Sequence, residues 1–178
     1  MKKTFLIATL FLVTIFGFSQ KMITRSGEIK FEATFPGALD QVAATNATVS
    51  CIFDKTSGEI ASVALVKSFK FKSPLMEEHF NENYMESDKF PKSSFKGKVI
   101  NFDATKSGMY DLEGELTIHG VTKKVKIKMT FSANGTKLDA TGNFSVKVQD
   151  YKIKVPSMLK NKLSDTVLVS IKFNLENK

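Results

Sequence analysis

From Lys123 to Phe131 the chain switches between polar and apolar residues one by one. Val125, Ile127, Met129 and Phe131 share one face of an extended segment, and Lys124, Lys126, Lys128 and Thr130 share the other. A period of two predicts a β-strand with one buried face. The preceding segment has the same form: Tyr110, Leu112, Leu116 and Ile118 lie opposite Asp111, Glu113, Glu115 and Thr117. His119-Gly120 between them predicts a hairpin turn. An acidic outer face next to a basic one favours direct pairing of the two strands.

The alternation extends in both directions. Ile29, Phe31, Ala33 and Phe35 alternate with Lys30, Glu32 and Thr34, and Ala47, Val49, Cys51 and Phe53 follow. A long strand then places Ala61, Val63, Leu65, Phe69 and Phe71 on one face. Later strands carry Phe95 and Val99, then Leu138, Ala140, Phe144, Val146 and Val148, and finally Val167, Val169, Ile171, Phe173 and Leu175. Turn residues separate them at Phe35-Pro36-Gly37, Lys55-Thr56-Ser57-Gly58, Thr105-Lys106-Ser107-Gly108 and Ala133-Asn134-Gly135-Thr136. These runs make roughly eight amphipathic strands, which favours antiparallel hairpins over βαβ units. Two short interruptions read as helical. Ser73-Pro74 is an N-cap with proline at the first helical position, followed by Met76, Phe80 and Tyr84 at helical spacing. Pro156-Ser157 opens a weaker one with Met158, Leu159 and Leu163. Neither forms a layer; both are expected at one end of a barrel, the first facing its opening.

The expected fold is therefore all-β, a single antiparallel eight-stranded barrel with a short helical insert. Such a barrel is just wide enough to be filled by side chains or to hold one small ligand. Outside the first 19 residues there are twelve phenylalanines, and nine fall on the inferred inner face: Phe31, Phe35, Phe53, Phe69, Phe71, Phe95, Phe131, Phe144 and Phe173. Small residues, including Gly97, Gly114, Ala140 and Gly142, share that face. Two readings stay open at this point. Large and small side chains interdigitate in a filled core, or the region between Phe69, Phe71, Phe95 and Phe144 is an apolar cavity.

The N-terminus changes the picture of where the barrel works. Met1-Lys2-Lys3 is basic, Phe5 to Phe18 is apolar without a charge, and Gly17-Phe18-Ser19 places small residues before Gln20. That order predicts a secretory signal over residues 1–19 and a mature domain over 20–178, periplasmic or secreted. The apolar run is shorter than the ~20 residues of a membrane-spanning helix. The formal charge of +8 comes from lysines spread along the chain, which predicts a solvated outer surface with transient contact to anionic membranes as a secondary possibility. A single cysteine, Cys51, excludes an intrachain disulfide, so stability must come from the core.

Candidate chemistry is sparse. His79 and His119 are the only histidines. His79 lies beside Glu78 and Glu82, but a third well-spaced metal ligand is missing, and His119 is expected to make a hydrogen bond closing its turn. Cys51 falls on the inner face as a small hydrophobe. No zinc-protease, nucleophile-elbow or phosphate-loop motif occurs. Phe69-Lys70-Phe71-Lys72 invites a nucleic-acid reading, which alternation opposes by placing the rings inside and the lysines outside. No enzyme, cofactor, metal or nucleic-acid partner is expected.

Longer stretches carry a family resemblance. Met76-Glu77-Glu78-His79-Phe80-Asn81-Glu82-Asn83-Tyr84-Met85-Glu86-Ser87-Asp88-Lys89-Phe90-Pro91 with Phe95-Lys96-Gly97, and Gly114-Glu115-Leu116-Thr117-Ile118-His119-Gly120-Val121-Thr122-Lys123, resemble the YceI-like family. Gly27-Glu28-Ile29-Lys30-Phe31, Asn46 and the run from Phe144 through Asp150-Tyr151-Lys152-Ile153 fit as well. The resemblance implies a lipocalin-like barrel, usually exported, that binds a polyisoprenoid or fatty chain inside. True lipocalins usually carry a Gly-x-Trp signature on the first strand, and this chain has no Trp. The family supplies no fixed contact residues, so inward apolar positions near the insert are the candidates: Phe69, Phe71, Met76, Phe80, Tyr84, Phe95, Ile118 and Phe144. The alternative function is a protein-interaction module with a filled core.

Overall fold

A computed structural model describes residues 21–39, 41–157 and 162–178. The expected signal segment and the stretch around Met158 and Leu159 lie outside the described residues. Leu163, grouped with that stretch by its spacing, is instead the first residue of a strand.

Among the described residues, nine strands form one antiparallel sheet: β1 (Lys21–Thr34), β2 (Ala43–Asp54), β3 (Glu59–Leu65), β4 (Lys70–Phe71), β5 (Lys92–Val99), β6 (Gly108–Ile118), β7 (Val121–Asn134), β8 (Lys137–Lys147) and β9 (Leu163–Asn177). The order β1-β9-β8-β7-β6-β5-β3-β2 closes on itself through β1–β2 pairing. Eight long strands thus make a closed barrel, and closure removes exposed sheet edges. The two-residue β4 adds to the start of β2, pairing Phe71 with Ala44. It leads into α1 (Pro74–His79), which continues as a wider turn over Phe80–Tyr84. Ser73 caps α1 by accepting from the Met76 N–H at 3.4 Å, and Pro74 occupies the first turn. β4 and α1 therefore sit at the end of the barrel where β1, β3, β6 and β8 finish.

The β6–β7 hairpin follows its charge pattern. Asp111 pairs with Lys128, Glu113 with Lys126 and Glu115 with Lys124 across the strands. Lys128 Nζ reaches Asp111 at 2.8 Å and Lys126 Nζ reaches Glu113 at 2.7 Å. The hairpin turns through positive φ at both His119 (50°) and Gly120 (71°), the mirror-image turn that suits twisted strands. Gly120 is also pressed by its neighbour: a Cβ there would come within 2.5 Å of the Phe90 ring.

Three strand faces differ from the alternation. On β3, Ile60 and Ala64 are buried, while Val63 and Leu65 are 39% and 55% exposed. The strand ends at Leu65, and a 3-10 turn over Val66–Ser68 shifts the phase, so Phe69 and Phe71 still point inward. Both faces of β3 are apolar, which leaves its orientation to its pairing with β5. On β2, Ala47 is exposed although Val49, Cys51 and Phe53 are buried. A bulge intervenes: Ile29 pairs with Asn46, yet Gly27 pairs with Val49. Phe35 lies beyond the end of β1 and is 40% exposed, its N–H donating to Lys162 O.

Asn46 explains the bulge. Fully buried, it accepts at Oδ1 from the Thr48 N–H and hydroxyl, both at 2.9 Å, and donates from Nδ2 to Leu65 O at 3.0 Å. One side chain therefore holds the extra residue of β2 and the last carbonyl of β3. Asn46→Ala leaves the Leu65 carbonyl without its donor and is expected to cost about 1–3 kcal/mol in a urea titration. A loss below about 0.5 kcal/mol, the size of an ordinary surface change, would show that the bulge holds without it.

Candidate functional site

The barrel interior divides along its length. At the end bounded by the turns after β2, β5 and β7, aromatic rings fill it. Phe53 meets Phe131 at 5.2 Å and Phe102 at 4.9 Å between centroids, and Phe102 meets Phe131 at 5.2 Å and Tyr110 at 5.2 Å. Phe53, Phe131 and Phe173 are among the largest fully buried side chains. At the other end the rings line a wall and leave space. Phe31 meets Phe69 at 5.4 Å and Phe71 at 5.7 Å, and Phe80, from the wide turn after α1, stacks on Phe31 at 5.4 Å and meets Phe71 at 5.1 Å.

The space is a cavity of about 580 Å³, open at the insert end. That size suits a small-molecule site, which is typically ~300–1,000 Å³ and mostly apolar. Strands supply Ile29, Phe31, Leu116, Ile118, Phe144, Val146, Val167 and Val169; the insert supplies Met76, His79, Phe80, Tyr84 and Met85. Segments beyond β8 and β1 complete the rim with Tyr151, Ile153, Ala38 and Leu39. Among the described residues, His79 and Lys162 are the ionisable nitrogen-bearing side chains of the lining, and both are exposed. Burial pushes the phenols of Tyr84 and Tyr151 above their ordinary range, with Asp150 adding to the effect at Tyr151. Both hydroxyls therefore remain protonated and uncharged near neutral pH.

Of the eight positions predicted from sequence, the structure brings seven together around this cavity: Phe69, Phe71, Met76, Phe80, Tyr84, Ile118 and Phe144. Phe95 lines a separate inner void of about 50 Å³. Val167, Val169, Tyr151 and Ile153 also line the cavity, and the sequence pattern does not mark them as site residues. Alternation tells which face of β9 is inward but not how far along the barrel axis a residue lies, and Tyr151 sits in a 3-10 turn (Val148–Tyr151) with no period to read. The small residues expected to leave room also behave differently. A Cβ on Gly142 would strike Met129 Cγ at 2.8 Å, and one on Gly97 would strike the Phe95 ring at 2.6 Å. Their spaces are already occupied; the main cavity lies nearer the insert.

His119 has a wider role than closing its turn. Its Nε2 lies 2.7 Å from Glu86 Oε2 and its Nδ1 lies 3.2 Å from Tyr151 O, while Phe90 packs edge-on at 4.5 Å. It ties the β6–β7 hairpin to the end of the insert and to the segment after β8, three parts of the rim. Glu86 and Lys152, beside these contacts, both hold positive φ. Cys51 is inward and buried, and burial pushes its thiol up to about 12, which withholds the reactive thiolate. Among the described residues, no group of three or more His, Cys, Asp or Glu is placed to hold a metal ion, and no helix is long and apolar enough to cross a membrane.

The family model of the YceI-like domain matches residues 13–175. The chain belongs to the YceI-like family. Solved structures share the barrel at low identity. A polyisoprenoid binding domain from Saccharophagus degradans, implicated in plant cell wall breakdown, superposes with a TM-score of 0.75 at 14% identity, covering 89% of this chain and 99% of that one. BcnA of Burkholderia cenocepacia gives a TM-score of 0.71 at 15% identity over 85% and 96% of the two chains. The YceI protein of Campylobacter jejuni gives 0.57 at 16% identity over 77% and 86%. Among curated proteins, a UPF0312 protein of Pseudomonas syringae pv. syringae is 28% identical over 82 residues, which is 43% of this chain and 42% of that relative. The matched region thus spans less than half the length of the relative. These likenesses fix the barrel fold.

Proposed function

We propose that this YceI-like protein is an exported, non-catalytic carrier that holds one apolar lipid-like chain, a polyisoprenoid or fatty chain, in the cavity under its helical insert. The observation that carries the reading is the cavity itself: about 580 Å³, lined by aliphatic and aromatic side chains, with His79 and Lys162 at exposed positions. Hydrocarbon gains roughly 25 cal/mol for each Å² removed from water, and this lining offers it little else. A polar head is better served at the rim, where water and exposed side chains are available. The Saccharophagus degradans neighbour, described as a polyisoprenoid binding domain, supports the same ligand class. Export rests on the basic and apolar residues of positions 1–19.

Native mass spectrometry of protein purified without detergent tests the reading. The expected spectrum contains a complex heavier than the polypeptide by one apolar molecule, released by organic extraction and regained on incubation with lipid extract. A bare polypeptide mass both before and after such incubation would overturn it and favour a protein-interaction module instead.

A further inference from the structure

Beneath the main cavity lies the inner void of about 50 Å³. Ile29, Ala64, Ser93, Leu116 and Phe144 line both spaces and form a collar between them. The inner void is framed by large side chains that lie against glycine. A Cβ built on Gly142 would come within 2.8 Å of Met129 Cγ, one on Gly114 within 2.6 Å of Phe95 Cζ, and one on Gly27 within 2.6 Å of Phe173 Cδ1. Gly142 is the direct cross-strand partner of Met129, and Gly114 pairs with Gly97 under the Phe95 ring. Met129, Phe95 and Phe173 all line the inner void. Each is drawn back onto bare backbone, so the barrel axis stays open below the collar. Interiors otherwise pack to crystal-like density, with few voids larger than a water molecule.

We propose that the inner void receives the far end of a hydrocarbon chain threaded through the collar, and that Met129, seated on Gly142, is the end-stop that sets the longest chain held. This rests on the lipid-binding reading above and adds a chain-length limit to it. Met129 suits the role physically, because its unbranched thioether adjusts to irregular gaps. Gly142 sets its position: any side chain at 142 displaces the Met129 stem, and a displaced stem has the inner void on its open side. Lys128 O lies 3.1 Å from that Cβ position, so an alanine methyl is limited mainly by the movable thioether.

The test uses the whole protein, stripped of lipid, titrated with a graded series of straight-chain saturated fatty acids, with the melting temperature of each variant measured alongside. In the wild type, affinity should climb about fourfold for each added methylene and level off at the length whose end meets Met129. Met129→Ala should move that point to longer chains by about two carbons, in steps of the same fourfold gain. Gly142→Ala should move it to shorter chains. If Met129→Ala fails to fold, Met129→Val should move the point in the same direction by a smaller step, with less volume removed. A wild type that climbs and levels off, with variants that level off at the same length, overturns the end-stop and leaves lipid binding intact. A wild type that binds no member of the series overturns both.

Discussion

Phe131→Ala should lower the stability of the barrel by about 3–5 kcal/mol, the range for removing a buried phenylalanine ring. Phe131 is fully buried, with Phe53 and Phe102 both at 5.2 Å and Tyr110 at 6.0 Å. Strands on every side are locked into the closed sheet, so the walls cannot collapse into the hole. Against a total near ~5–15 kcal/mol for a domain, such a loss is large. At roughly 2–4 °C for each kcal/mol in a domain of this size, the melting temperature should fall by about 6–20 °C. Phe80→Ala is the control. That ring is only half-buried and borders the cavity, so its loss should cost substantially less stability while loosening the insert from Phe31 and Phe71. Urea unfolding followed by circular dichroism compares the two directly. Equal losses would mean that the insert end is packed as tightly as the far end, contrary to the division of the interior.

That division marks the boundary of what the sequence discloses. The β6–β7 hairpin could be read residue by residue, because alternation, opposite outer charges and His119-Gly120 all agree, and the observed register pairs Asp111 with Lys128 and Glu113 with Lys126. β3 could not be read, because Ile60 and Ala64 compete with Val63 and Leu65 as equally apolar faces; pairing with β5 decides between them by setting Ala64 beside Ser93 and Ser62 beside Phe95. The bulge that exposes Ala47 depends on a buried amide at Asn46 reaching Leu65, 19 residues away. No local pattern announces such a contact. The choice between filled core and cavity is of the same kind. Phe53 and Phe69 look alike in the alternation, but one lies in the packed half and the other lines the cavity. Their axial positions follow from strand stagger and closure, which emerge only when all eight strands are in register.

The occupied space beside Gly142 also decides how the cavity is best tested. A large residue at 142 would collide with Met129 and report overpacking rather than ligand exclusion. Ala64 is the better position. It is buried on the inner face of β3 and lines both the main cavity and the inner void, so Ala64→Phe would place its ring in empty space at the collar. Lipid uptake should then fall by about 60-fold or more, since three methylenes denied contact cost about fourfold each. Stability should hold or rise by about 0.5–2 kcal/mol, as filling an apolar cavity commonly does. Thermal unfolding of lipid-free protein and fatty-acid titration read the two quantities separately. A loss of stability on the scale of Phe131→Ala would mean that the collar has no room for a ring. Undiminished uptake in a folded Ala64→Phe variant would place the lipid outside the barrel, because a chain lying in the interior must meet this ring.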